Sequence, residues 1–470
     1  MMRRVPTGIP NLDPIFDGGF LEGSLILLAG TPGTGKTVFG MEFLRHGAVH
    51  LGEPGVFVSF AEGRGTLIEN MMSHLGCDRR DFEEIEVLDF VAVKEKGVES
   101  IMEIIIRSID EREARRLVID SFTAMTNGLE HSIEARILAH VLGRLVKQSG
   151  CTTVLIAETP IGTEKVGMGV EEFVADGVIV LSRKVVNGRI IREMDILKLR
   201  GTKIESPRHL FTLENGFQVL PKFKFRVPSL RKEFKPLPNT ETHFSFGSKD
   251  LDRLLGGWKR GTVNLIEVES RIDTRALLGL IFTTGLNFVM HGNGFVTFDP
   301  LICNANTIKE YFGPFVGEER LNHLVRCLEV ARYPREEREK FVLNLKGENP
   351  DEDWEIILEY LRSIGFPKKP VCCFCSLDAV ENYYGRENAI RAIYTCGVES
   401  TRKTDSLLIL SVPSNSEEIR TVSKMAESHL KLEEIDGTAV LFGVKPQTGY
   451  RAMEIVASEV SCELKLTPIL

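Results

Sequence analysis

Apolar and polar positions along the chain fall into two rhythms. Leu25–Ala29, Val56–Phe60, Leu117–Ile119, Thr153–Ala157 and Gly177–Leu181 are short continuous apolar runs, rich in β-branched residues. Runs of that length suit strands buried on both faces. Between them the apolar positions take helical spacing: Ile137, Leu138, Val141, Leu142, Leu145 and Val146 form one stripe. Strands alternating with helices predict a parallel sheet covered by helices. From Val185 to Phe217 the pattern turns to antiparallel strands, with Asn187-Gly188 and Asn215-Gly216 at the turns.

The pattern occurs twice. Gly8-Ile-Pro-Asn-Leu-Asp13 resembles Gly247-Ser-Lys-Asp-Leu-Asp252, and Gly18, Gly19 and Gly23 match Gly256, Gly257 and Gly261. Phe57, Val58 and Phe60 match Phe295, Val296 and Phe298 at the same offset of 238 residues. A register held from Gly18 to Phe60 without a gap predicts two copies of one domain, about 1–220 and 242–470. The expected class is α/β, each copy a mostly parallel central sheet flanked by helices with a C-terminal antiparallel extension. Between the copies, residues 221–241 open with four prolines and six Lys/Arg against one Glu up to Pro238, which predicts an extended basic linker.

Composition narrows the class. The chain has 470 residues, enough for two or three domains, with 43% hydrophobic and 26% charged residues, as in globular proteins. The formal charge of −8 excludes a globally basic nucleic-acid coat. No apolar run has the length of a membrane span, and the N-terminus lacks the apolar core of a signal peptide. Nine cysteines, an odd number, point to reduced thiols in a cytoplasm. Strand alternation places Cys373 and Cys375 on one face and Cys372 on the other, which suits core packing better than one tetrahedral metal site. His46 and His50 stand one helical turn apart but lack a third ligand nearby.

The chemistry gathers in the first copy. Gly30-Thr31-Pro32-Gly33-Thr34-Gly35-Lys36-Thr37 follows an expected strand and opens an expected helix, the full phosphate-loop sequence in its proper context. Backbone N–H groups can turn inward around phosphate oxygens, and the helix N-terminus adds positive potential. Lys36 then serves the β- and γ-phosphates of ATP, and Thr37 offers a hydroxyl to Mg²⁺. Asp120 ends an apolar strand, where a carboxylate can hold Mg²⁺ through water. Glu62 ends another, placed to orient an attacking water as general base. Glu158 ends a third and could sense the γ-phosphate.

These residues, with Val170–Asp176 and the run Lys198-Leu-Arg200-Gly201-Thr202, resemble the KaiC-like branch of the RecA/RadA ATPases. The resemblance implies tandem RecA-like domains and ATP bound between neighbouring subunits of a homo-oligomer, usually a hexamer. It also implies that Lys198 and Arg200 reach a neighbour's phosphates. Residues two apart on a strand point the same way, so both cations share a face. KaiC has paired glutamates where this chain has Ala61-Glu62, so the division of work between two carboxylates is lost.

The second copy lacks each feature. At the offset of 238, Gly30–Thr37 falls on Val268–Arg275, with Thr274 in place of Lys36 and the glycines gone. Glu62 falls on Pro300, the Asp120 strand falls on Val371–Ser376 with Cys375 for Asp, and no Lys-x-Arg-Gly-Thr run follows. A pseudo-ATPase domain is expected, without the autokinase activity that the family places there. The leading expectation is therefore a slow regulatory ATPase, with a protein partner docked by the second copy. One alternative is a RadA-like DNA recombination or repair accessory protein. The segments Thr126–His131 and Ile161–Gly169, which would touch DNA, carry one Lys and no Arg. The other alternative is a non-hydrolysing nucleotide-dependent scaffold.

Overall fold

The computed structural model describes residues 3–91, 98–126, 132–160, 174–224, 234–330, 339–457 and 462–470. The chain divides into two compact units: Met1–Pro221 with Pro468–Leu470, and Lys222–Thr467. Each is built on one large sheet.

In the first unit the strands are β1 (Leu25–Gly30), β2 (Gly55–Ser59), β3 (Ile85–Asp89), β4 (Arg116–Asp120), β5 (Thr152–Glu158), β6 (Gly177–Val186), β7 (Arg189–Leu199), β8 (Arg208–Thr212) and β9 (Gln218–Val219). Their order is β9-β8-β7-β6-β1-β5-β4-β2-β3. The pairs from β6 through β1 to β3 are parallel, and those from β6 to β9 are antiparallel. All six residues of β1 are buried, because helices cover both faces of the sheet centre. Helix α1 (Lys36–His46) packs on one face, where Phe39, Met41 and Phe43 are buried with Ile26 and Leu28. Helix α2 (Ser132–Ser149) lies on the other, where Leu142 and Val146 are buried with Leu25 and Leu27.

Two expectations need correction. The α2 stripe is narrower than the sequence pattern, because Ile137 and Val141 are largely exposed while Ala135 and Ala139 fill the core with Leu138. The edge strand β3 was not among the expected strands; its inward residues Ile85 and Val87 alternate with Glu86 and Leu88, too short a pattern to separate from a loop.

The second unit repeats the order. Its strands are β10 (Thr262–Val268), β11 (Gly294–Phe298), β12 (Val325–Val330), β13 (Val342–Leu345), β14 (Val371–Ser376), β15 (Leu407–Pro413), β16 (Ser428–Ile435), β17 (Thr438–Lys445), β18 (Arg451–Ala457) and β19 (Cys462–Pro468). They run β13-β12-β11-β14-β15-β10-β16-β17-β18-β19, the first unit's order with one strand, β13, added beyond the edge strand β12. Helix α3 (Thr274–Met290) takes the place of α1. Phe223 and Phe234, which flank the linker residues outside the described set, belong to this unit: Phe223 N–H donates to Gly437 O at 2.8 Å and Phe234 is buried.

The core of the second unit holds charge where the first holds methyl groups. Ala29 lies beside Val180 in the first unit; at the matching place Glu267 lies beside Lys431. Glu267 accepts from Lys431 and His429, both at 3.0 Å, and these hydrogen bonds outweigh burial and hold its carboxyl down at about 2. Asp299, just past β11, shows the reverse. Its Oδ1 accepts from Leu301 N and Ile302 N, while its buried Oδ2 has no partner among the described residues. Burial, with nearby Asp378, pushes its carboxyl up to about 6.

A folded-state acid that holds its proton more tightly than the unfolded chain makes folding less favourable as pH rises. Stability is therefore expected to fall between about pH 4 and pH 7, by up to about 3 kcal/mol. In Asp299→Asn, which keeps an acceptor for both N–H groups, that part of the slope should vanish. Urea unfolding of the full chain at several pH values checks this; an unchanged slope in the variant contradicts it.

Candidate nucleotide site

The C-terminal ends of parallel strands share one sheet edge, which is where open α/β sheets place their ligands. In the first unit, β1, β2, β4 and β5 all end there, and each end delivers a residue expected from the sequence.

The β1 end runs into the glycine-rich loop. Gly30 admits no side chain, since a Cβ would lie 2.6 Å from Leu181 O. Gly33 and Gly35 have φ of +76° and +96°, a region costly for residues with a Cβ. Thr34 is buried, and its hydroxyl donates to Thr31 O at 2.8 Å, closing the loop from within. Pro32 and Gly33 form the exposed tip.

Lys36 opens α1. Its Nζ donates to Gly30 O at 2.8 Å and Thr31 O at 2.9 Å, curling over the loop. Burial lowers its pKa, and the negative charges of Asp120 and Glu158 oppose that shift. Thr37 follows, and its hydroxyl donates to Asp120 Oδ2 at 2.6 Å. The Asp120 carboxyl is raised mainly by burial and further by Glu158 and Glu62, against the Thr37 hydrogen bond and Lys36.

Glu62, just beyond β2, is fixed by its backbone. Ser59 Oγ donates to Glu62 O at 2.6 Å, and Asn70 Nδ2 donates to Glu62 Oε2 at 3.1 Å. Glu158 closes β5 with an exposed side chain, its N–H held by Thr123 Oγ1 at 2.9 Å. Half-buried Asp120, hydrogen-bonded to the Thr37 hydroxyl, is chemically suited to a divalent cation, and the open loop fits the phosphates it would accompany.

Lys198 and Arg200 are not at this edge. Strand β7 runs antiparallel to β6, so its end lies level with the start of β1. The five residue steps of β1 separate it from the phosphate loop, roughly 16 Å at the rise of a strand. There Lys198 Nζ donates to Ala175 O at 2.6 Å, and Arg200 Nη1 donates to Asp176 Oδ1 at 2.7 Å. Both cations thus lie at the edge opposite that of Lys36.

One residue beside the loop was not anticipated. Arg192, near the other end of β7, donates from Nη1 to Gly33 O at 3.1 Å and from Nε to Leu470 O. No local motif marks it; only the antiparallel register brings it there. A charged hydrogen bond of this kind contributes about 1.5 kcal/mol. Arg192→Ala should therefore weaken binding of a fluorescent ATP analogue roughly tenfold. An unchanged Kd would contradict a role at the loop.

The second unit answers differently at the matching edge. Asp273 accepts from Arg275 N at 2.9 Å and caps α3, so a carboxylate occupies the helix N-terminus. Glu269 pairs with Arg271 and accepts from Glu434 N at 3.0 Å. The strand β14 carries Cys372 in one core layer and Cys373 with Cys375 in the other, as alternation predicts. Rings of His46 and His50 lie 5.1 Å apart, and no metal-binding group of three occurs among the described residues. The segments 127–131 and 161–173, which bear on the DNA alternative and on part of the resemblance, lie outside the described residues.

A central, mostly parallel sheet with a phosphate loop at its first strand defines a RecA-like P-loop fold. The profile of the KaiC ATPase family matches residues 5–223. The circadian clock protein KaiC2 of Synechocystis is 34% identical over 277 residues, which are 56% of this chain and 47% of that protein. A UPF0273 protein of Pyrococcus furiosus is 31% identical over 239 residues, 47% of this chain and 95% of that protein. The crystal structure of a KaiC-like protein from Pyrococcus horikoshii covers 47% of this chain and 100% of its own, at 36% identity and a TM-score of 0.43. The chain belongs to the KaiC-like family of ATPases. It spans about half the length of the KaiC proteins it matches. No described helix is long and apolar enough to cross a membrane.

Proposed function

We propose that the first unit binds Mg-ATP and hydrolyses it slowly, in sites completed between subunits of a homo-oligomer. The observation that carries this is the division of cations between two edges: Lys36 beside Thr37, Asp120, Glu62 and Glu158 at one, Lys198 and Arg200 at the other. A single chain cannot bring both sets onto one phosphate.

In this reading the loop Gly30–Thr37 cradles the phosphates, and Lys36 leaves its carbonyl partners to meet them. Thr37 and Asp120 hold Mg²⁺, which when bound neutralises charge on the β- and γ-phosphates. Glu62 accepts a proton from the attacking water, and Glu158 faces the γ-phosphate. Lys198 and Arg200 of a neighbour offset the charge that develops as the terminal phosphoryl group departs. The second unit, with its helix N-terminus capped by Asp273, binds no nucleotide and serves regulation through a protein partner.

Multiple-turnover phosphate release with Mg-ATP tests this reading. Release beyond one equivalent per chain is expected, and it should be lost in Lys36→Ala. Tight ATP binding with no release would instead favour a nucleotide-dependent scaffold.

A further inference from the structure

Arg200 is held twice by one residue. Its backbone N–H donates to Asp176 O at 2.9 Å and its Nη1 to Asp176 Oδ1 at 2.7 Å. The Asp176 side chain is buried, at 10% exposure, while that of Arg200 is 54% exposed. So the carboxylate is the fixed member and the guanidinium the one that can leave. Asp176 is fixed from its other side as well, since Oδ2 accepts from Leu25 N at 3.2 Å. Leu25 begins β1, the strand that ends in the phosphate loop. Lys147 Nζ, at 3.8 Å from Asp176 Oδ1, competes for the same oxygen.

We infer that Asp176 is a positioning residue that parks Arg200 against its own chain and must release it before Arg200 can serve a neighbour's phosphates. This rests on the proposed inter-subunit site. An arginine bound to a carboxylate carries little net charge toward a third group, so the parked form is inactive in trans. The deployed form must beat a charged hydrogen bond to an oxygen largely shielded from water. A bound γ-phosphate across the interface supplies the competing anion, so deployment follows the occupancy of the neighbouring site. The same carboxylate fastens the start of β1, so the chain that donates the cation anchors it to the strand carrying its own loop.

The test uses mixed full-length chains. One chain, Arg200→Ala, supplies an intact phosphate loop; the other, Lys36→Ala, supplies an intact Arg200. Mixed interfaces alone are then active. Adding Asp176→Asn to the Lys36→Ala chain keeps an acceptor for Leu25 N but removes the charge that parks Arg200. The rescued kcat should rise about threefold to tenfold with little change in KM. A role limited to bracing Leu25 would leave kcat unmoved, and an unchanged or lowered kcat overturns the inference. Lys147→Ala, a surface change far less able to disturb folding, removes the competitor and should lower the rescued rate about twofold. A rise there would also overturn it. If neither donor chain rescues activity although subunit exchange is verified, the inter-subunit reading falls and the parking role with it. Rescue that ignores Asp176 and Lys147 removes the parking role alone.

Discussion

Glu62→Gln should leave Mg-ATP bound and slow its hydrolysis by about 10²–10⁴-fold, the usual contribution of a positioned general base. The change is isosteric, and the amide oxygen can still accept from Asn70 Nδ2, which holds Glu62 Oε2 at 3.1 Å. The backbone clasp from Ser59 Oγ is untouched, so the strand end keeps its shape. What is lost is the basic oxygen proposed to take a proton from water. The charge of Glu62 also helps to raise the Asp120 carboxyl, so its removal should favour ionised Asp120 and leave Mg²⁺ binding intact. Phosphate release and titration with a fluorescent ATP analogue separate the two effects. Normal turnover in this variant would move the role of base to Glu158, the other carboxylate whose charge reaches Asp120.

Arg200→Ala should be more damaging. A cation placed on the developing phosphoryl charge accounts for about 10³–10⁵ in rate in related chemistry. Binding of ATP by the same chain should survive, because Arg200 lies at the opposite edge, roughly 16 Å along the strands from that chain's own loop. The defect should therefore be complemented by Lys36→Ala, whose Arg200 is intact, when subunits exchange. Two chains inactive alone and active together would place the loop and the cation in different subunits. Failure to complement, with exchange verified, would return Arg200 to a purely local role on Asp176.

Much of this site was legible in the sequence because its signals are local. Glycines at fixed spacing, a lysine and a threonine at the helix start, and acids closing apolar runs need no tertiary information. The turns at Asn187-Gly188 and Asn215-Gly216 were legible for the same reason: Asn187, Gly188, Asn215 and Gly216 all have positive φ. What was not legible depends on register. Arg192 reaches Gly33 only because β7 runs back along β6, and the same reversal carries Lys198 and Arg200 away from the loop. Ile137 and Val141 fit the helical stripe by spacing, yet the sheet covers only the arc centred on Leu138 and Leu142. The cluster of Glu267, His429 and Lys431 was missed because its members lie on two strands far apart in sequence.

The central claim is that one unit carries the nucleotide chemistry and the other carries none. Its most direct test is the number of nucleotides bound per full-length chain at saturating Mg-ATP, by equilibrium dialysis. The first unit has an open glycine loop, whereas Asp273 and Glu269 occupy the matching place in the second, each tied to an arginine. One ATP per chain is predicted, and none in Lys36→Ala. Two per chain, or one retained by Lys36→Ala, would contradict the account.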